Sequence, residues 1–175
     1  MTASLHPSPA IVCDAADIVH LRDRLAQWMV DTGIRQWTPG EYPVQLAADE
    51  AARGEWHVVR DAAGCLVATV RVVWCDPDFW GPGDQGGDAP AGYVHGLMVA
   101  PGSPVRGRDL LDHVAELTVA RGLDRLRLDF VSHSDALRRF YVGYGFREVR
   151  RTVLPAPFPR MEISLMELPL PYSRT

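Results

Sequence analysis

The sequence predicts a mixed α/β fold in which a central β-sheet of six to seven strands carries helices on both faces. Its segments follow the order strand, helix, helix, three strands, helix, strand, helix and two strands. Apolar residues recur at spacings of three and four in segments such as 106–121, which indicates helices, and alternate with polar residues in 160–167, which indicates half-buried strands. Strand 92–100, helix 106–121 and strand 126–130 predict a right-handed parallel crossover.

The N-terminal segment predicts one strand and one helix. Residues 1–9 are rich in Pro and Ser and are expected to be flexible. A short strand is predicted over 10–13, and Asp14 is a suitable N-cap for a helix that runs to about residue 31 and ends before Gly33. The apolar face of this helix is formed by the residues Ile18, Leu21, Leu25, Trp28 and Met29.

The next part of the chain predicts a loop, a short helix and a hairpin. Residues 34–43 contain Pro, Gly and aromatic residues and predict a loop, which a short helix over 44–53 follows. Residues 56–60 and 65–74 flank a short turn and predict a β-hairpin. Residues 75–91 contain four Gly, three Pro and four Asp, and a loop of this length is either functional or mobile.

The chain is expected to form a single domain over residues 10–168. Two closing strands are predicted over 147–152 and 160–167, and residues 169–175 are expected to form a C-terminal tail. With 175 residues the protein is large enough to bury a continuous core. The sequence contains no internal repeat and no linker-like change of composition.

The composition is typical of a soluble globular protein, with 47% hydrophobic and 23% charged residues. The sequence contains no apolar run long enough to cross a bilayer, and its N-terminus lacks the pattern of a secretory leader, so we expect a cytoplasmic protein with no membrane partner. The net charge is −4 and the basic residues lie among acidic ones, which disfavours nucleic acid as a partner. All 18 basic residues are Arg, and the absence of Lys excludes Schiff-base chemistry on a lysine.

The three cysteines, Cys13, Cys65 and Cys75, are widely spaced and form no Cys-x-x-Cys pair. They are most simply interpreted as small apolar residues on strands. The six His residues show no ligand spacing either, so the sequence predicts no metal site.

The most specific motif lies in the last predicted helix, at residues 135–146. An Ala-Leu pair begins this helix, and Tyr141 stands four residues before the pair Gly145-Phe146. The segment resembles the final conserved block of the GCN5-related N-acetyltransferase (GNAT) superfamily, and the similarity extends over residues 58–149. The resemblance implies the GNAT fold and the use of acetyl-CoA as the acyl donor.

The resemblance places the cofactor on two segments. In the family, the backbone of the strand at Leu97, Met98 and Val99 pairs with the pantetheine amides, as an added strand would. The start of the following helix supplies N–H groups for the pyrophosphate. The implied contacts there are Val105, Arg106, Gly107, Arg108 and Asp109. Ser134 falls where many relatives carry an Asn that contacts the cofactor.

The loop before this helix departs from the family pattern. The family usually has Gln/Arg-x-x-Gly-x-Gly/Ala, whereas residues 102–107 are Gly-Ser-Pro-Val-Arg-Gly and retain only the last Gly. Pro104 removes one N–H, while Arg106 and Arg108 could compensate by their charge. Alternatively, Pro104 and Asp109 simply start a helix, and the Asp would repel a phosphate.

Tyr141 is the candidate general acid, because it matches the family position whose phenol protonates the coenzyme A thiolate. The alternative is a core aromatic residue, since Phe140, Tyr144 and Phe146 make the whole segment aromatic. His95 lies on the strand beside the acetyl position that the resemblance implies. It is the candidate base for the amine, directly or through a water, because its unperturbed pKa is ~6.5. A buried structural His fits the same position.

Two aromatic loops, residues 35–42 around Trp37 and residues 76–80 around Trp80, are predicted to bind the substrate. Asp76 and Asp78 could bind a cationic amine, or act as the base, while the two Trp rings pack on the cation. Asp residues at such loop positions also commonly make turns. The loops suit a small or medium-sized organic amine better than a protein tail.

Together these features predict an acetyl-CoA-dependent N-acetyltransferase that transfers an acetyl group directly to the amine of a small or medium-sized molecule. No Cys falls at the expected acetyl position, which disfavours a covalent route. The altered loop supports an alternative, a protein of this fold that has lost acetyl-CoA chemistry and binds a ligand or catalyses another reaction. A third hypothesis is an acyltransferase for a larger acyl group, which the small Gly96 could accommodate. Closing strands often pair across a dimer in this fold, which allows a homodimer.

Overall fold

A computed structural model describes residues 5–34, 36–81, 90–154 and 160–171. The strands in these ranges are β1 (Ser8–Pro9), β2 (Trp56–Arg60), β3 (Leu66–Val73), β4 (Gly92–Val99), β5 (Arg125–Val131), β6 (Arg147–Val153) and β7 (Glu162–Pro169). The helices are α1 (Ala15–Asp31), α2 (Val44–Ala52), α3 (Pro77–Trp80), α4 (Gly107–Ala120) and α5 (Asp135–Tyr144). The predicted mixed α/β class with six to seven strands is confirmed. None of the helices in the described ranges is long and apolar enough to span a bilayer.

Two compact units divide the chain. The first comprises residues 1–71 and 96–110, and the second comprises residues 72–95 and 111–175. The chain enters each unit twice, so neither unit is one continuous segment. The single domain over residues 10–168 stays a prediction.

The first unit is built on antiparallel strands. β1 pairs with β2, and β2 pairs with β3 as the predicted hairpin. The core of this unit contains the buried residues Ala10, Ile18, Leu21, Ala51, Trp56, Val58 and Met98. The apolar face of α1 is narrower than its sequence pattern indicates, because Trp28 is more than half exposed.

The predicted strand over 10–13 is wrong. Among the described residues before α1, the strand lies at Ser8–Pro9, and Val12–Asp14 form a 3₁₀ turn. The Asp14 carboxylate accepts the N–H of Ile11 at 2.8 Å, and this local bond competes with strand pairing. Asp14 precedes α1 as predicted, but its side chain caps no N–H of α1 and instead pairs with Arg60 at 2.5 Å.

The second unit is built around β5. β4 lies parallel to β5, as the predicted crossover requires, and β7 lies antiparallel on the other side of β5 and pairs with β6. A Cβ on Gly92 would lie 2.4 Å from the Thr118 hydroxyl, so only Gly lets α4 approach β4 this closely. β6 ends the strand order of this unit and is exposed along nearly its whole length. The homodimer that such a strand allows stays a prediction.

The long segment 75–91 contains a helix that the sequence pattern does not indicate. α3 begins with Pro77. Proline lacks an N–H group, and this is no cost at the start of a helix because an N–H there would make no bond within the helix. Residues 82–89 lie outside the described part of the chain. Because α3 follows Asp76 directly, it orients the two side chains, Asp76 and Phe79, that lie beside the candidate site.

Candidate active site

Strand register places His95 and Asp129 on one face of the second unit. Tyr93 lies opposite Arg127 in the parallel ladder of β4 and β5. His95 and Asp129 follow two residues later on their strands, and side chains alternate with a period of two, so all four residues share a face. The buried apolar residues of β5 alternate with them and take the other face; they are Leu126, Leu128 and Phe130.

His95 is held between two carboxylates. Its Nε2 lies 3.1 Å from Asp76 Oδ2, within hydrogen-bonding distance, and its Nδ1 lies 3.7 Å from Asp129 Oδ1. The His95 and Asp129 side chains are mostly buried, with exposed fractions of 17% and 15%. The Phe79 ring packs against the imidazole, with 5.5 Å between ring centroids. The imidazole is therefore fixed in place with one carboxylate facing each ring nitrogen.

Burial raises the pKa of the Asp129 carboxyl to about 6. The charge of His95 opposes this rise in pKa, and the negative charge of Asp76 adds to it. A carboxyl group that titrates near neutral pH can exchange a proton there, as general acid–base catalysis requires.

The same three side chains also bring possible metal ligands together. Asp76, His95 and Asp129 offer ligand atoms that all lie within 4.8 Å of one another. The two ring nitrogens of His95 face different carboxylates, whereas a metal ion would take one ring nitrogen and draw both carboxylates to that side. The arrangement therefore fits proton transfer better than metal coordination.

Sequence reasoning assigned no role to Asp129. The residue lies between Leu128 and Phe130 in a strand whose apolar residues alternate regularly. One signal was available, because a carboxylate in the middle of such a strand must be paired if it is buried. The partner could not be identified from spacing, since His95 lies on a different strand.

Tyr141 lies in an aromatic cluster of the second unit. Its ring centroid lies 5.6 Å from that of Phe130, 5.1 Å from that of Phe140 and 5.9 Å from that of Phe146. Burial and the negative charge of Asp129 raise the pKa of its phenol above the ordinary value. The two interpretations from the sequence are therefore compatible, since Tyr141 is a packed core aromatic and also a phenol that stays protonated.

The predicted substrate residue Trp80 stacks on an arginine of the protein. The Arg127 guanidinium carbon lies 4.4 Å from the Trp80 ring centroid. Arg150 donates a hydrogen bond to the Trp80 carbonyl oxygen at 2.9 Å. Of the two predicted carboxylates, Asp76 is buried against His95 and Asp78 lies in the first turn of α3. Binding of an amine by Trp80 and Asp78 stays a prediction.

The start of α4 is occupied by the protein's own acceptors. Asp109 Oδ2 accepts the N–H of Arg106 at 2.8 Å, and Ser103 Oγ accepts the N–H of Val105 at 3.1 Å. The Arg106 side chain is 79% exposed, and its guanidinium lies 3.6 Å from the Asp109 carboxylate. Two of the N–H groups that the resemblance assigns to the pyrophosphate are therefore already hydrogen-bonded to side chains.

The strand segment 97–99 lies in the second half of β4, as predicted. Gly96, directly before it, has a φ of +50°. A Cβ there would lie 2.4 Å from the Trp56 ring, so the space beside Gly96 is filled. This packing does not support the hypothesis of a larger acyl group at Gly96.

Ser134 is the N-cap of α5. Its Oγ accepts the N–H of Leu137 at 3.3 Å. Capping is sufficient to explain a small hydroxyl residue at this position. Cofactor contacts of Ser134, Gly107 and Arg108 stay predictions.

Trp37 packs on Arg22 in the first unit. The Arg22 guanidinium carbon lies 4.9 Å from the ring centroids of both Trp37 and Tyr42. Glu41 pairs with Arg22 at 2.5 Å, so one arginine fastens the segment between α1 and α2 to α1. Arg35, at the start of this predicted substrate loop, lies outside the described residues, and the role of Trp37 in substrate binding stays a prediction.

The sequence matches one family over most of the folded chain. A family model described as "Acetyltransferase (GNAT) family" matches residues 22–146. The match includes α2, α3, α4, α5 and the strands β2 to β5. The comparison with curated proteins gives no match.

Solved structures share the fold at low sequence identity. An acetyltransferase of the GNAT family from Listeria monocytogenes has a TM-score of 0.76 at 20% identity, with 97% of this chain and 99% of that chain covered. A Salmonella typhimurium protein assigned as an acetyltransferase and solved with acetyl-CoA has a TM-score of 0.69 at 13% identity, with 99% and 98% covered. A ribosomal-protein-alanine N-acetyltransferase from Brucella melitensis has a TM-score of 0.68 at 16% identity, with 95% and 100% covered.

Proposed function

Because the chain belongs to the acetyltransferase (GNAT) family, whose acyl donor is acetyl-CoA, we propose that it transfers an acetyl group directly to the amine of a small or medium-sized molecule. The observation that carries this proposal is the buried imidazole of His95 with a carboxylate at each ring nitrogen. Such a group is suited to remove a proton from an ammonium. When bound, the donor supplies the thioester carbonyl that the amine attacks and the thiolate that leaves.

His95 is the proposed base. The neutral imidazole accepts a proton from the substrate ammonium, directly or through a water. The imidazolium that results is stabilised by the Asp76 carboxylate at 3.1 Å. Asp129, with a pKa of about 6, is ionised at neutral pH and adds a second negative charge beside the ring. The two carboxylates therefore favour transfer of the proton to His95.

Tyr141 is the proposed acid. Burial and the Asp129 charge keep its phenol protonated, so the hydroxyl remains a hydrogen-bond donor at neutral pH. A neutral donor can stabilise the negative charge that develops on the leaving sulfur and protonate the thiolate as the charge grows. The aromatic cluster around Tyr141 holds the ring that carries this hydroxyl.

Two segments fit the chemistry of the donor. The pairing of β4 with β5 ends at Val94, whereas β4 continues to Val99. The backbone N–H and C=O groups of this last part of β4 suit hydrogen bonds to the pantetheine amides, as in the addition of a strand. At the start of α4, the exposed Arg106 side chain can turn toward a phosphate. Asp109 opposes an anion at the same point, so the proposed pyrophosphate site is weaker than one that lacks this carboxylate.

The surroundings of His95 favour a cationic acceptor. Asp76 and Asp129 carry two negative charges when both are ionised, against at most one positive charge on His95, so an ammonium group is attracted. Phe79 packs beside the same imidazole and contributes an apolar contact. The small or medium size of the acceptor is proposed from the sequence, whose two aromatic loops suit such a molecule better than a protein tail.

Calorimetric titration with acetyl-CoA, followed by a thiol-release assay on a panel of amines, tests this proposal. We expect micromolar binding of acetyl-CoA and coenzyme A, and acetylation of at least one primary amine. An absence of binding up to millimolar acetyl-CoA, or binding without acetyl transfer to any amine, would contradict the proposal.

A second candidate function is ligand binding without acetyl transfer. The observation that favours it is the Asp109 carboxylate, which accepts the Arg106 N–H where the family pattern places the pyrophosphate. The variant Asp109→Asn distinguishes the two candidates. In an acetyltransferase, loss of this partly exposed charge tightens coenzyme A binding about threefold, whereas a protein that has lost the cofactor gains no affinity. Asp135→Asn, at the exposed start of α5, is the matched control.

A further inference from the structure

Asp76 is the member of the His95 cluster that no strand holds in place. His95 lies on β4 and Asp129 on β5, whereas Asp76 directly precedes α3 and is its N-cap residue. The Asp76 side chain caps no N–H of this helix. Its carboxylate lies instead 3.1 Å from His95 Nε2. The position of this carboxylate against the imidazole therefore depends on where α3 is held.

A helix as short as α3 does not hold itself in place. It has four residues, and a single helical turn forms too few hydrogen bonds to offset the loss of chain entropy. Its backbone nevertheless joins its two ends, because the Trp80 N–H donates to the Asp76 carbonyl oxygen at 3.0 Å. A contact that fixes Trp80 therefore also fixes Asp76.

Two arginines of the sheet fix Trp80. The Arg127 guanidinium carbon lies 4.4 Å from the centroid of the Trp80 ring, a distance at which a cation is attracted to the face of the ring. Arg150 donates a hydrogen bond to the Trp80 carbonyl oxygen at 2.9 Å. The two arginines lie on β5 and β6. The C-terminal end of α3 is therefore fastened to the sheet.

Arg127 is itself held rigidly. It is only 8% exposed, and its Nε donates to Glu167 Oε2 at 2.8 Å. Its Nη1 donates to the Tyr93 hydroxyl at 3.3 Å, and Tyr93 lies two residues before His95 on β4. The Trp80 ring also packs on the Tyr93 ring, with 6.1 Å between the centroids. The support of Trp80 thus begins on the strand that carries His95.

We propose that Trp80 is a positioning residue, which acts through α3 to hold the Asp76 carboxylate on Nε2 of His95. This inference rests on the proposed acetyl transfer and assigns one more residue to it. The sequence predicts that the Trp80 ring packs on the substrate cation, whereas in the structure the cation on this ring is Arg127. All the residues of this arrangement belong to the second unit.

The position of Asp76 sets the tautomer of His95. A carboxylate only accepts hydrogen bonds, so the neutral imidazole donates from Nε2 and carries its proton there. The next proton then binds to Nδ1. One N–H bond of the substrate ammonium breaks, an N–H bond forms at Nδ1, and the electron pair stays on the amine for attack on the thioester. Without Asp76 on Nε2, the Asp129 carboxylate that faces Nδ1 competes for the ring proton.

Nitrogen NMR of histidine-labelled protein tests this role without any turnover. We expect the neutral His95 ring of the wild type to carry its proton on Nε2. Trp80→Leu removes the ring face that Arg127 contacts, and we expect a mixture of the two tautomers. Trp80→Phe keeps an aromatic face and should restore the wild-type tautomer. Trp28→Leu, at an exposed position of α1, is the matched control and should resemble the wild type.

Steady-state kinetics give a second readout. Trp80→Leu should lower kcat about tenfold for every amine that is turned over, with KM for the amine and the dissociation constant for acetyl-CoA near those of the wild type. If Trp80 acts through Asp76, the same substitution in an Asp76→Ala background should change kcat less than about twofold. Arg150→Ala should lower kcat in the same direction by a smaller factor. Arg151→Ala, at an exposed position of the same strand, should leave kcat unchanged.

Three results would overturn the inference. They are a Trp80→Leu protein with the wild-type tautomer, a rise in KM at unchanged kcat, and a full tenfold loss of kcat in the Asp76→Ala background. A rise in KM alone would instead assign Trp80 to substrate binding. A protein without acetyl transfer contradicts the proposed function, and the NMR measurement still decides the role of Trp80. If circular dichroism shows that Trp80→Leu is unfolded, Arg150→Ala carries the same NMR measurement.

Discussion

Each unit of the molecule buries a polar cluster, and the two clusters differ in how completely their charges are matched. In the first unit, Glu50 accepts the Tyr42 hydroxyl at 2.5 Å and pairs with Arg71 at 3.2 Å. In the second unit, Asp129 faces His95 Nδ1 at 3.7 Å, which is too long for a hydrogen bond. Glu50 thus has close side-chain partners, whereas Asp129 lies near His95 without a hydrogen bond to it.

This difference in hydrogen bonding affects what each carboxylate can do. Burial raises the pKa of the Asp129 carboxyl to about 6. A buried carboxylate that is fully hydrogen-bonded fixes the geometry of its partners, whereas one that titrates near neutral pH can exchange a proton. The comparison supports the proposal that the His95 cluster carries the chemistry, whereas the Glu50 cluster supports the fold.

Removal of the Glu50 carboxylate has the largest expected effect. Glu50→Ala leaves Tyr42, Trp56 and Arg71 without their shared acceptor and should lower the free energy of unfolding by about 3 kcal/mol. Denaturant unfolding followed by circular dichroism measures the loss. Asp49→Ala, the exposed neighbour on α2, should change stability by about 0.5 kcal/mol or less. Equal losses for the two variants would contradict a structural role for the cluster.

Replacement of the proposed base should affect turnover and leave the fold intact. His95→Gln is expected to lower kcat about 100-fold, because it removes general-base catalysis. The dissociation constant for acetyl-CoA, measured by calorimetry, should stay near that of the wild type. His133→Gln, at an exposed position of the same unit, is the control and should retain its kcat. If His95→Gln turned over at the wild-type rate, the His95 cluster would lose its chemical role.

The pH dependence of stability sharpens the comparison. The folded-state pKa of Asp129, about 6, lies above its ordinary value of 3.8, so the folded protein binds this proton more tightly than the unfolded chain. The resulting stabilisation is fully present below pH ~4 and is lost as the pH rises through ~6. Between pH ~4 and ~6 the free energy of unfolding of the wild type should therefore fall by about 2 kcal/mol. The Asp129→Asn variant should not show this fall.

Urea unfolding at a series of pH values measures this difference between the wild type and Asp129→Asn. Glu50→Gln serves as the comparison from the first unit. A parallel pH profile for wild type and Asp129→Asn would show that the Asp129 carboxyl does not titrate in this window and would remove the contrast between the clusters.

Removal of the Tyr141 hydroxyl has the smallest expected effect of the four. Tyr141→Phe keeps the ring packing and should lower kcat about tenfold, with cofactor affinity near that of the wild type. Tyr144→Phe is the matched control, because Tyr144 lies on the same helix as Tyr141 and its hydroxyl donates a hydrogen bond to Asp112 at 2.8 Å. Unchanged turnover in Tyr141→Phe would leave this residue only the role of a core aromatic.

Local patterns predicted most of the elements. The strand Trp56–Arg60 has the bounds that its sequence indicates, and α1 ends before Gly33, whose φ is positive. The two errors have local causes. Asp14 forms a side-chain bond to the backbone where a strand was expected, and α3 forms in a Gly- and Pro-rich segment whose four residues are too few to show a helical period.

The candidate site was predictable only in part. His95 and Tyr141 were predicted by position within a family pattern, and their catalytic roles stay predictions. The structure places both in the second unit, near Asp129. Asp129 and Arg127 were not found, because each looks like an ordinary charged residue on a strand. Their importance depends on burial, and burial of a charged side chain has no local sequence signature.

The sequence by itself determined the order and type of most of the helices and strands, since helical and strand periodicities are properties of neighbouring residues. It also determined the resemblance of residues 135–146 to a known family. Only the tertiary structure decided that His95 lies between Asp76 and Asp129, and that Arg22 lies against Trp37 and Tyr42. The reason is physical, because the pKa of a side chain and the partners of its donors depend on groups that are distant along the chain and close in space.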